Sequence, residues 1–518
     1  MKIRLTVLFY FCCALIFSGS TAMADVKPAS LFSDHVVLQR GMSVPVWGTA
    51  DPGEKVTVTL NKQSQSTVTG ADGKWMVHLR KLTAGGPFEM SITGKNSITV
   101  KDVLVGEVWL GSGQSNMEFP VSKKHAPYAG LLNEGQEIAA ANYPEIRMFT
   151  GKETKSLTPQ DDIQGVWKIC SPDTVGDFSA VGYLFARDLY QKLHVPVGIV
   201  LEAYGASTAE AWVPRDAMAA DPSLKPMLDK FDVLETYFKE HPGATTVDAP
   251  PSPETLNARP GKPGPLRDPV QNQHQPTVLF NGMINPVIPY AIRGAIWYQG
   301  ESIIGGPAGL LLYPHTMQTL VTTWRSLWGE GDFPFLEVQL PALKNVSNNP
   351  LVRDGQAKLL TVPNTYMAVT IDIGDPDNVH PKNKEPLGDR LTDIALAKAY
   401  RRNIIYSGPV YETMRVEGST LHLKFSQIGG GLVAKDGPLK WFQVAGADQK
   451  FVDADAKIVG KTVVLSSPQV SAPVAARYAW DNYPFGSNLY NAAGLPAAPF
   501  RTDQWDAMPP IAAQFTGK

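Results

Sequence analysis

Ser115, Asp377 and His380 are the residues whose types and surroundings suit nucleophilic catalysis. Ser115 stands in Gly111-Ser112-Gly113-Gln114-Ser115-Asn116-Met117, a glycine-rich turn able to hold a hydroxyl out of a packed interior. A serine hydroxyl is a poor nucleophile until a neighbouring base accepts its proton. His380 is the expected base, and Pro381 biases it towards extended geometry and so towards a loop. Asp377 lies three residues earlier. Across one turn its carboxylate would bind the second imidazole nitrogen, fix the tautomer and stabilise the imidazolium. The oxyanion of an acyl-transfer reaction needs preorganised donors. The backbone N–H groups of Ser115 and Gly205 and the side-chain amide of Gln299 are the expected set, and losing one such donor typically costs about 10²–10³ in kcat. Asn116 and Glu301 are candidates for support or substrate contact, although Glu301 reads equally well as a structural partner of a neighbouring loop. Asp372, Asp375 and Asp377 are spaced closely enough to suggest Ca²⁺, but the terminal bidentate Glu of an EF-hand is missing and no metal is expected.

These residues are far apart in the chain, so the fold must bring them together. Each follows a mostly apolar run: Val103–Leu110 before Ser115, Val197–Leu201 before Gly205, Gly294–Tyr298 before Gln299, and Tyr366–Ile371 before Asp377 and His380. Runs apolar on both alternations suit strands buried on both faces. Ala180–Leu193, His315–Trp328 and Val352–Leu360 read as helices between them, and a further helix after Pro386 carries Leu387, Leu391, Ile394 and Ala395 on one face. Strands alternating with helices predict a largely parallel sheet wrapped by helices, whose strand carboxyl ends share one ligand-binding edge.

Either side of this α/β region, over about 101–405, the pattern is β-rich. Residues 25–100 alternate in short runs such as Lys55–Leu60 and Trp75–Leu79 and predict a small β-sandwich. Residues 406–518, with Thr420–Phe425 and Lys461–Leu465, predict a second β-rich module. Asp216–Pro276 reads as an insertion, helical near Leu228–Lys239 and otherwise loop. At the start, Lys2 and Arg4, the apolar Leu5–Phe17 and Ala22-Met23-Ala24 have the form of a secretory signal peptide cleaved after Ala24. Export is therefore expected, to the periplasm in preference to the extracellular space, with no membrane association after cleavage. Cys12 and Cys13 leave with that segment, so Cys170 is expected to be a packed residue without a disulfide.

The 518 residues carry a formal net charge of −2, which argues against a nucleic-acid binder needing a basic face. With 11 Trp and 17 Tyr the chain reads as globular.

In these motifs the sequence resembles the SGNH hydrolases, specifically the bacterial sialate O-acetylesterase-like proteins. Gly113-Gln114-Ser115-Asn116-Met117 matches the nucleophile block and gives Ser115 that role. Gly205 within Tyr204–Trp212 matches the second block, Trp297-Tyr298-Gln299-Gly300-Glu301-Ser302 the third, and Asp377-x-x-His380 the last. Asn281-Gly282-Met283-Ile284, Asn488-Leu489-Tyr490-Asn491 and Pro499-Phe500-Arg501-Thr502 look like the same group, so the similarity spans nearly the whole mature chain. Three positions depart from the pattern: Gln299 stands where the superfamily often has Asn, Ala206 where the second block commonly has another Gly, and Ile303 where a polar residue is common. The resemblance implies a secreted serine esterase that removes O-acetyl groups from sialic acid or plant polysaccharide through an acetyl-enzyme, without cofactor. Two alternatives stand beside it: a noncatalytic glycan-binding protein on a hydrolase scaffold, and a serine peptidase sharing the triad logic. The sequence leaves the oligomeric state open.

Overall fold

The computed structural model describes residues 25–242, 272–303, 307–344, 346 and 348–505. The proposed leader at 1–24, most of the loop portion of the insertion and the last residues of the C-terminal module lie outside them.

The strand that delivers Ser115, β1 (Ser97–Gly113), runs for 17 residues. Its burial alternates up to Asp102 and becomes continuous from Val103 to Gly113, so one strand passes from a half-exposed sheet into a sheet covered on both faces. Its first half pairs antiparallel with Gly85–Thr93. Its second half lies parallel to β4 (Val197–Ala203) and β5 (Gly294–Tyr298). The expected boundary between residues 100 and 101 thus falls inside a strand. The change in pattern marks a change in covering and not a break in the chain. N-terminal residues such as Val46 and Val58 accordingly share one hydrophobic core with the α/β region.

The central path of the eleven-stranded sheet is completed by β2 (Tyr143–Gly151), β3 (Gly165–Cys170), β6 (Phe335–Val338) and β7 (Thr365–Ala368), in the order β3-β2-β4-β1-β5-β6-β7. Only β3, at the edge, runs antiparallel to its neighbour on this path. The register places helices on both faces. Ser112 of β1 pairs with Trp297 of β5, so Trp297 points opposite to Trp109, three residues earlier on β1. Trp109 packs edge-on against Phe185 of α1 (Ala180–Leu193), with ring centroids 5.1 Å apart. Trp297 instead meets Trp324 of α2 (Pro307–Trp328), at 5.9 Å. Helix α4 (Glu385–Lys398) packs on α1, and α3 (Asn349–Lys358) on α2.

Helix α1 has the bounds its sequence predicts. Ser179 caps it by accepting from Gly182 N–H at 3.0 Å, and left-handed His194 ends it. The insertion holds two helices, Arg215–Ala220 and Lys225–Glu240. The C-terminal module has its own core of Leu421, Leu423, Phe425, Val463 and Leu465. It is fastened to the α/β region by the buried Arg353, whose guanidinium donates to the carbonyls of Leu340, Pro341, Asp481 and Asn482 at 2.8–3.0 Å. Cys170 is buried, and burial pushes its thiol up to about 12, which suits a packing role. Among the described residues no helix is long and apolar enough to cross a membrane.

Candidate active site

The turn that presents Ser115 begins where β1 leaves the sheet. Gly113 has φ +134°, and a Cβ there would lie 2.2 Å from the Tyr298 carbonyl oxygen, so only glycine lets β1 end this close to β5. Gln114 N–H donates to the same carbonyl at 3.0 Å. The chain then makes a single helical turn, Ser115–Glu118. Ser179, the cap of α1, donates its hydroxyl to the Met117 carbonyl at 2.6 Å and ties that turn to the helix layer.

His380 arrives on the loop after β7, and every bend of that loop is tied down. Asp372 accepts two bonds from Arg390 of α4, at 2.8 and 2.7 Å, and a third from the Tyr490 hydroxyl at 3.1 Å. Asp375 accepts the N–H groups of Asp377 and Asn378, and Asn378 accepts the N–H of His380 at 2.9 Å. These local side-chain turns are what Asp and Asn favour outside helices. The oxygens of Asp372, Asp375 and Asn378 are thereby spent on Arg390, Tyr490 and the backbone. The result is a contact of 2.8 Å between His380 Nε2 and Ser115 Oγ across 265 positions of sequence. Burial, followed by the charge of Lys384, pushes the imidazole down to about 4, so it is neutral near pH 7 and able to accept a proton. For Nε2 to accept from Ser115, the imidazole hydrogen must sit on Nδ1.

The structure differs from expectation at Asp377. Its residue is exposed, and no hydrogen bond joins its carboxylate to His380 among the described residues. The Asp375 turn captures the Asp377 N–H, whereas the imidazole is braced by rings. Tyr128 lies over it with centroids 4.6 Å apart and an interplanar angle of 35°, and Phe119 lies at 6.4 Å.

The other two loops reach the same edge. Gly205 N–H donates to the carboxyl of Glu118, the last residue of the nucleophile turn. Glu118 is pushed up to about 8 by burial first and then by the charge and hydrogen bond of Glu153. Ala206, beside Gly205, has φ +55°, a left-handed conformation that glycine adopts freely and alanine does not. Ala206→Gly should therefore raise the unfolding free energy, by up to about 1 kcal/mol after its own backbone entropy is counted; a lower denaturation midpoint at unchanged m-value would contradict this. Gln299 is fully buried, and its amide nitrogen donates to the Ser207 carbonyl at 3.1 Å. One of the two hydrogens expected to face an oxyanion is thus committed to holding the Gly205 loop.

Asn116 and Glu301, singled out in the sequence, do meet. The Asn116 amide nitrogen donates to Glu301 Oε1 at 2.5 Å and to the Val379 carbonyl at 2.9 Å. The third member, Lys384, escaped sequence reasoning, as did Glu118 and Tyr128. A lysine before a helix reads as a solvated charge, and only its placement reveals that it is 1 % exposed.

A family model described as "Carbohydrate esterase, sialic acid-specific acetylesterase" matches residues 273–397. A solved carbohydrate acetylesterase from Xanthomonas citri superposes with a TM-score of 0.79 at 34 % identity, covering 93 % of this chain and all of that one. The sheet, its helix layers and its β-rich flanks are those of an SGNH-type carboxylic ester hydrolase. The mouse sialate O-acetylesterase is 30 % identical over 91 % of this chain and 93 % of its own length, and the human enzyme 28 % over 94 % of each. The chain belongs to the sialate O-acetylesterase family of carbohydrate esterases.

Proposed function

We propose that the protein is an exported esterase that removes O-acetyl groups from a carbohydrate by covalent catalysis at Ser115. The reading rests above all on the 2.8 Å contact between Ser115 Oγ and His380 Nε2. Ser115 Oγ attacks the acetyl carbonyl as its proton passes to His380 Nε2. The carbonyl electrons move to the oxygen, and the Ser115 N–H receives that oxyanion together with the Gly205 N–H, which gives up the Glu118 carboxyl for it. Its collapse breaks the bond to the sugar oxygen, which leaves with the proton returned by His380, and the acetyl group remains on Ser115. Water, deprotonated by His380, then repeats the sequence and releases acetate. The printed names of the relatives support an acetylated sugar as the acyl donor. The leader-like segment at residues 1–24 supports export to the periplasm.

The carboxylate of Asp377 stands at the exposed end of the loop and makes no direct bond to the imidazole. Asp377→Asn should accordingly lower kcat about tenfold, far less than the roughly 10⁴-fold loss when a triad acid bonded to its histidine is changed. A loss of about 10³-fold or more would show instead that Asp377 bonds Nδ1 in the working enzyme.

Acetate release from acetylated sialic acids, acetylated xylan and acetylated xyloglucan tests the whole reading. Release from one class, abolished by Ser115→Ala, is the expected result. Release from none would contradict it.

A further inference from the structure

Behind the Ser115–His380 contact lies a buried polar chain that the reaction steps above do not use. Lys384 Nζ donates to Asn116 Oδ1 at 2.5 Å. The amide of Asn116, the residue after the nucleophile, donates in turn to Glu301 and to the carbonyl of Val379, the residue before the base. Lys384 and Asn116 are almost completely buried, and the ammonium lies 4.9 Å from the ring centroids of both Phe119 and Tyr298. Burying an ammonium is costly unless it is paired and hydrogen-bonded, and here Lys384 is held by Asn116 Oδ1 and faces the Glu301 carboxyl, so that the nucleophile turn, the third loop and the His380 loop meet at one side-chain amide. We propose that Lys384 is a positioning residue, which through Asn116 fixes the main chain on either side of the reacting pair and sets the His380 imidazole against Ser115.

The inference rests on the esterase reading and extends it. Asn116 is a neutral side chain with one acceptor and one donor group, so Lys384 orients it: the ammonium takes Oδ1 and leaves both N–H groups for Glu301 and Val379. The groups facing Lys384 are Asn116 from the nucleophile turn, Glu301 and Tyr298 from the third loop and its strand, Phe119, and His380 on its own loop. Those facing His380 are Ser115, Tyr128, Phe119 and Lys384, with Glu118 and Glu153 acting on Tyr128 from beyond. Burial pushes Lys384 down to about 7 against the pull of Glu301, and the Glu301 carboxyl is raised by its own burial. Below that range the ammonium opposes a second positive charge on His380, so it also keeps the base neutral in acid.

The test compares wild type and Lys384→Met on 4-nitrophenyl acetate across acid and neutral pH. The variant should lose about 10²-fold in kcat with KM within about threefold, and its acid limb should move from near 4 towards the ordinary histidine value. The limb reads the charge of Lys384 and the kcat loss reads its bond to Asn116, so a lysine that only packs would leave kcat in place. Lys384→Gln, which offers Asn116 an uncharged donor, should recover part of kcat and keep the raised acid limb, and it serves if the Met variant does not fold. Wild-type kcat and acid limb in either variant, with Ser115→Ala inactive, would overturn the inference and leave the esterase reading standing. An inactive wild-type enzyme would overturn both.

Discussion

Ser115→Ala should lower kcat for acetyl ester hydrolysis by about 10⁴-fold or more, with substrate binding little changed. The size of the effect follows from what the hydroxyl does. It is the atom that bonds to the acyl carbon, and it stands 2.8 Å from the nitrogen that takes its proton. An alanine leaves the Gly205 loop, the buried Gln299 and the Lys384–Asn116–Glu301 chain in place, so the fold and sugar affinity survive while covalent chemistry stops. The residual rate would come from the oxyanion donors and from positioning alone. Burst kinetics in the wild type, absent in the variant, would separate acyl-enzyme formation from a general loss of activity.

His380→Gln should be almost as damaging, with a loss of about 10³-fold or more, because the proton of Ser115 would then have no base to receive it. The same histidine sets one side of the pH profile. Only the neutral imidazole is a base, and burial and Lys384 hold its pKa at about 4, so kcat/KM should fall as pH drops through about 4 and not near the ordinary histidine value. Glu118 sets the other side. Its carboxyl is held up near 8 and bonds the Gly205 N–H. Above that pH a carboxylate stands beside a donor needed by the nascent oxyanion, and activity should fall again. Glu118→Gln should remove the alkaline limb and leave the acid one. An acid limb between 6 and 7 in the wild type would contradict this electrostatic account.

Much of the fold was legible because the hydrophobic pattern is strong there. The runs before Ser115, Gly205 and Gln299 became β1, β4 and β5, and Ala180–Leu193 became α1 with the same ends. The strands Tyr143–Gly151 and Gly165–Cys170 were not foreseen. Both lie towards the sheet edge, and charged or polar residues such as Arg147 and Lys168 interrupt their apolar pattern. In the site, Ser115 and His380 could be paired from their loops alone, since parallel strands deliver their carboxyl ends to one edge. The exposed position of Asp377 was not legible. It depends on which backbone N–H groups Asp375 and Asn378 capture, and spacing alone does not decide that. Nor was Lys384, whose burial depends on the aromatic rings of Phe119 and Tyr298, drawn from two distant segments.

The claim on which the rest depends is that Ser115 is a nucleophile activated by His380. Peptide mapping by mass spectrometry after reaction with a fluorophosphonate tests it most directly. A single phosphonyl adduct is predicted on the peptide containing Gly113-Gln114-Ser115-Asn116-Met117, with labelling strongly slowed in His380→Gln. An adduct on another residue, or labelling of Ser115 at the same rate without His380, would contradict it.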